Sequence, residues 1–187
     1  MRYDSAHKAR SRAKILEAAR ARFRRYGFDG ASIDQVMRDA DLTRGAFYAH
    51  FSSKEALIKE VMAIESGLVH RLRAAQTSDS PATGVVDAMR HYMDPAERSD
   101  VATGCPLVAH PVDAIRGTTQ LRDGYEARFL ALVQTLESSM DSPDDAIVAS
   151  VLAIGAGIIS ASVSDADTAD RISSICLAKV ESLIAGG

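Results

Sequence analysis

The chain has no tryptophan, five phenylalanines, five tyrosines and two cysteines in 187 residues, and its net charge is only −3. Each scarcity excludes something. Cys105 and Cys176 are far apart, with no C-x-x-C and no metal-ligand spacing. That excludes a disulfide framework or a zinc module and leaves two reduced thiols as the expectation. Period-2 alternation is hard to find, whereas Ala, Leu, Arg, Glu and Asp are plentiful. A sheet protein is therefore not expected, and the fold class is all-α, with about nine helices. The N-terminus, MRYDSAHKARSRAK, is basic but lacks an apolar core, so no signal peptide is expected and the location is cytoplasmic.

The modest net charge hides an uneven distribution. Residues 1–54 carry twelve Lys/Arg against six Asp/Glu, and residues 55–187 carry ten against nineteen. A basic head on an acidic body is the layout expected when only the head meets phosphates. Residues 146–164 hold no charge over nineteen positions, which is close to the length of a membrane span. Four serines interrupt that run, and its flanks are Asp144-Asp145 and Asp165-Asp167 rather than Lys or Arg. Burial between partners is therefore expected in place of a membrane.

The helices follow from periodicity and punctuation. Ile15, Leu16, Ala19, Phe23 and Tyr26 recur at helical spacing, and Gly27 is placed to close that helix in a left-handed conformation. A fourth helix is expected from Ser53 to about Ala75, joining a head, residues 1–52, to a body, residues 53–187. Ser80-Pro81 and Ser142-Pro143 mark helix starts. Residues 94–104 are the most loop-like part of the body, and Pro111 must end or kink the short helix opened by Cys105-Pro106.

The stretch Ser32–Lys54, SIDQVMRDADLTRGAFYAHFSSK, organises the rest. Ser32 is expected to cap one short helix and Thr43 a second, with a turn at Asp39–Leu42 between them. Ser52 or Ser53 then caps the next helix. Two short helices across a tight turn describe a helix-turn-helix unit, whose second helix enters a DNA major groove. Arg44 stands where side chains reach base edges, and its fork matches O6 and N7 of guanine. No buried partner for it is evident in the sequence.

The run Gly45-x-Phe47-Tyr48-x-His50-Phe51-x-x-Lys54-Glu55, with Ile15, Ala18, Phe23, Gly27, Phe28, Ile33, Val36, Ala40, Leu42, Thr43, Leu57 and Val61 around it, resembles the TetR family of bacterial transcriptional regulators. Asp41 stands where the family usually has Gly, and Val36-Met37 where Ile-Ala is usual. The resemblance implies a homodimeric repressor, not an enzyme, that binds a pseudo-palindromic operator in double-stranded DNA and needs no cofactor. It implies DNA contacts at Ser32, Thr43, Arg44, Gly45, Tyr48, His50 and Lys54. It also implies a dimer interface in the last two helices, about residues 144–184. An unidentified small molecule would bind among the body helices, where Met62, Met89, His91, Tyr92, Tyr125 and Phe129 are candidates for its lining, with core packing as the alternative.

Cys105 carries a further expectation. Gly104-Cys105-Pro106 puts the thiol at a helix start, where the positive helix end favours thiolate, and His110 follows five residues on. The run TGCPLVAHPVDAI resembles a TetR-family branch in which such a cysteine senses electrophiles or oxidants, as in the repressor of N-ethylmaleimide reductase. An inert structural thiol is the alternative. A thiol enzyme using Cys105 and His110 is a third reading, disfavoured because no orienting residue is evident. Cys176 reads as a small core residue.

Overall fold

The computed structural model describes residues 2–94 and 105–186, which are all-α with eleven helices and no strand among them. In chain order these are α1 (Arg2–Gly30), α2 (Ile33–Asp39), α3 (Arg44–Tyr48), α4 (Lys54–Ala63), α5 (Gly67–Gln76), α6 (Pro81–Met93), α7 (Pro106–Ala109), α8 (Pro111–Arg116), α9 (Thr119–Glu137), α10 (Pro143–Ser162) and α11 (Ala166–Ile184). Of the loop expected over 94–104, residues 95–104 lie outside the described residues, as does Gly104 beside Cys105.

Two apolar clusters divide the chain. The head cluster joins Ile15, Ala19 and Phe23 of α1, Val36 and Met37 of α2, Phe47 of α3, and Leu57, Ile58, Val61 and Met62 of α4. The body cluster joins Leu72 of α5, Met89 of α6, Leu107 of α7, Leu132 and Leu136 of α9, Ala149 and Ala153 of α10, and Val180 of α11. Head packing thus continues through α4, beyond the boundary drawn at residue 52. Tyr125 of α9 packs against both clusters.

The single long helix expected from Ser53 to Ala75 is two helices. Ile64 leaves the helical conformation, and Ser66 caps α5 by accepting from the Val69 N–H at 3.2 Å. The physical reason is the division of the core: Met62 belongs to the head cluster, whereas Leu68 belongs to the body cluster. The short helix at Cys105 likewise ends at Ala109, and Pro111 starts α8 at its first position. These two extra breaks raise the expected nine helices to eleven.

Gly27 has φ 70° and ψ 173°. The positive φ expected there is present, but ψ is extended rather than left-handed helical, so a separate turn, Phe28–Gly30, follows. On α10, Ala146, Ala149, Ser150, Ala153, Ile154, Ala156 and Gly157 face inward. A Cβ on Gly157 would lie 2.8 Å from Cγ2 of Val108, so α7 rests on bare backbone there. The outer face of α10 exposes Ile147, Val148, Val151 and Ile159, and α11 exposes Ile175. The helix is long and apolar enough to cross a membrane, with mean hydropathy 1.8.

Candidate nucleic-acid interface

The helix-turn-helix is held from inside and capped at its edges. Ser32 accepts from the Gln35 N–H at 3.3 Å, while the Gln35 side chain accepts from the Ser32 N–H at 2.9 Å. This reciprocal box satisfies two donors at the start of α2. Asp41 takes φ 55° in the turn, the only non-glycine with positive φ among the described residues. That is a left-handed position which Asp tolerates better than most residues. Arg22 of α1 grips Asp39 at the end of α2 through two bonds of 2.5 and 3.0 Å. That pairing raises the Arg22 pKa and lowers that of Asp39.

Phe47 is fully buried, and its neighbour Tyr48 is 56% exposed. Arg44, Gly45 and Tyr48 therefore stand on the outer side of α3. Thr43 occupies the N-cap position, but its hydroxyl makes no cap hydrogen bond, contrary to the expectation that it caps α3. Ser53 rather than Ser52 caps α4, accepting from the Ala56 N–H at 3.2 Å. Lys54 is half-buried at the first position of α4. His50 is also half-buried, and its Nδ1 is enclosed without a partner. Desolvation, followed by repulsion from Lys8, Arg12 and His7, lowers its pKa.

Three features here escaped the sequence. Arg44 does have a partner: its Nη1 donates to Oδ2 of Asp34 at 2.7 Å, and both side chains are exposed. Tyr48, the larger influence, and Asp34 both raise the Arg44 pKa. A depression of about 220 Å³ beside the turn is lined by His7, Arg10, Ser11, Lys14 and Leu42, so the N-terminal half of α1 adds cations to this face. The excess of basic residues before Ile15 was the available signal.

The third feature is a seam between head and body. His110 is 2% exposed. Its ring stacks on Phe28 with centroids 4.4 Å apart and planes 18° apart. Its Nδ1 lies 2.9 Å from Oδ2 of Asp113, whose Oδ1 accepts from the Phe28 N–H at 3.2 Å. Burial is the largest influence on His110 and lowers its pKa, although Asp113 pulls the other way. Asp113 is the orienting residue that the sequence left unseen. It holds His110 against the head, and the bond its other oxygen accepts from Phe28 fixes the end of α1.

Among the effector candidates, Met89 is fully buried in the body cluster, and Tyr92, Tyr125 and Phe129 pack against it. Met62 belongs to the head cluster, and a Cβ added at Gly124 of α9 would lie 3.6 Å from its Cβ. His91 is half-buried. The Tyr125 hydroxyl donates to the Leu107 carbonyl at 2.8 Å. Arg128 donates to the Val61 carbonyl at 2.8 Å, near the end of α4. Burial lowers the Arg128 pKa. Cys105 and Cys176 are free, half-buried and packed against the body cluster.

Residues 15–61 match the family described as bacterial regulatory proteins, tetR family. This head is a TetR-family head. The match covers the TetR-type head, from the middle of α1 to α4. The chain is 33% identical over 78 residues to the A-factor receptor protein of Streptomyces griseus, covering 42% of this chain and 27% of that one. It is 32% identical over 90 residues to the transcriptional repressor AcnR of Corynebacterium efficiens, covering 48% and 44%. The chain thus spans less than half the length of these curated relatives. The TetR-type fold extends over the whole chain. A TetR-family regulator from Cytophaga hutchinsonii superposes with a TM-score of 0.75 at 23% identity, covering 96% and 95% of the two chains. The reduced form of NemR from Escherichia coli superposes with a TM-score of 0.70 at 17% identity, covering 89% and 94%.

Proposed function

We propose that this TetR-family protein is a cytoplasmic, homodimeric transcriptional repressor that binds a pseudo-palindromic DNA operator and leaves it on a small-molecule or thiol-reactive signal. The observation that carries the reading is the outer side of α3. Arg44, Gly45 and Tyr48 project from a capped helix-turn-helix in a head rich in Lys and Arg. In this reading Arg44 reads base edges. Ser32, Thr43, Tyr48, His50 and Lys54 grip phosphates, which fixes register, and Gly45 lets backbone approach. The unspent Thr43 hydroxyl suits that task.

The dimer supplies the second head. Ile147, Val148, Val151 and Ile159 on α10 and Ile175 on α11 are apolar and exposed in one chain, and a second copy would cover them. Two heads on a two-fold axis would read half-sites about 34 Å apart, or a multiple of one DNA turn. The effector would enter the body near Tyr125 and Phe129, where α9 meets α4 through Arg128 and Val61. Selection from a random duplex pool tests the reading. The wild type should enrich a two-fold motif, and Arg44→Ala with Tyr48→Phe should abolish the enrichment. Enrichment of no motif would defeat it.

Cys105 supports a second trigger. The thiol is half-buried, packs against the body cluster and stands at the N-cap position of α7. In this version N-ethylmaleimide releases the wild type from DNA and leaves Cys105→Ser bound. An equal response of the two proteins removes the thiol trigger.

A further inference from the structure

We propose that Asp34 sets the aim of Arg44, so that the pair, not Arg44 alone, decides which base the recognition helix reads. This rests on the DNA-binding reading above and adds a specificity residue to it.

The backbone under Asp34 is firmly placed. It sits in the first turn of α2, two residues after the Ser32 cap, and Val36 and Met37 of the same helix are buried in the head core. A carboxylate there suits the positive end of the helix. From this position Oδ2 of Asp34 receives Nη1 of Arg44, the first residue of α3, at 2.7 Å. The contact crosses the turn and ties the start of one helix to the start of the next.

The pair is exposed, at 61% for Arg44 and 50% for Asp34. Exposed pairs contribute little to stability, so holding the fold together is a poor explanation for this one. The location also argues against chance placement of an acid. Asp34 lies on the face where Arg44 and Tyr48 are offered, and a negative charge there repels phosphate.

Geometry supplies the function. A guanidinium has five N–H donors in a rigid planar fork. Spending one Nη1 donor on Asp34 fixes the plane of the fork and leaves the opposite edge for a guanine. Tyr48, four residues along α3, is exposed on the same side of the helix. A long side chain tethered through one donor loses less freedom when it meets a base edge, and it meets one base better than its neighbours.

The test uses the full-length wild type, Asp34→Ala, Asp34→Asn and Arg44→Ala in selection from a random duplex library, with circular dichroism to check folding. Asp34→Ala should keep or strengthen low-salt binding to random duplex, because it removes a negative charge. Its motif should degrade at the same base pair of each half-site as that of Arg44→Ala, with discrimination falling at least about fivefold. Asp34→Asn keeps an acceptor without the charge and should fall in between. An intact motif with Asp34→Ala overturns the proposal while leaving the DNA reading in place. So does a folded Asp34→Ala protein that no longer binds random duplex. A wild type that selects no motif defeats the DNA reading, and the aiming role falls with it.

Discussion

Replacing Gly27 with alanine tests how the head is held on the body. At φ 70° and ψ 173° the residue occupies a region used almost solely by glycine. Forcing alanine into it costs about 1–3 kcal/mol. The new Cβ would also stand 3.1 Å from Oδ1 of Asp113, the oxygen that accepts from the Phe28 N–H. Displacing that carboxylate forfeits one hydrogen bond, about 0.5–1.5 kcal/mol. Against this, alanine restricts the unfolded chain and returns about 0.4–1 kcal/mol. The balance is a destabilisation of about 0.5–4 kcal/mol. Urea unfolding at fixed protein concentration measures it as a shift in midpoint with the slope unchanged. Asp113→Ala in the same background should relieve the steric part, so the two substitutions should cost less together than the sum of each alone. A loss below about 0.5 kcal/mol, or strict additivity, would refute the reasoning.

Two further outcomes are expected. His110 has a lowered pKa in the folded chain, so below its unfolded value of about 6.5 the unfolded state binds more protons. Its contribution is therefore complete above that pH and falls away as the pH drops toward the folded value. Unfolding midpoints from pH 8 to 5 should decline on the acid side, and His110→Gln should flatten part of that decline. An unchanged slope would remove His110 as the cause. Val151→Glu, on the exposed apolar face of α10, should leave circular dichroism unaltered and convert a dimer to a monomer in sedimentation. A persistent dimer would move the interface elsewhere.

The head was legible because its rules are local. A Ser cap, a turn that tolerates left-handed backbone and an aromatic pair fall within a stretch shorter than thirty residues. The neighbours Phe47 and Tyr48 show how closely such patterning resolves sides, one fully buried and the other mostly exposed. What escaped depends on distance in the chain. Asp34 meets Arg44 ten residues later, and Asp113 meets Phe28 across eighty-five. No periodicity reports such pairings. The break at Ile64–Ser66 hid for another reason. Apolar residues continue across it in helical rhythm, and only the division between two cores shows that Met62 and Leu68 serve different packing. Ser66-Gly67 was the local signal available. Pro111 is legible as a break because a ring without an N–H ends a helix whatever surrounds it.

The most direct measurement of the central claim is footprinting of the wild-type protein on a fragment recovered from the duplex selection. The account predicts two protected half-sites related by a two-fold axis, with centres about 34 Å apart or a multiple of one DNA turn. It also predicts that Arg44→Ala weakens both together. Uniform protection without half-sites, or a footprint of unchanged strength with Arg44→Ala, would contradict it.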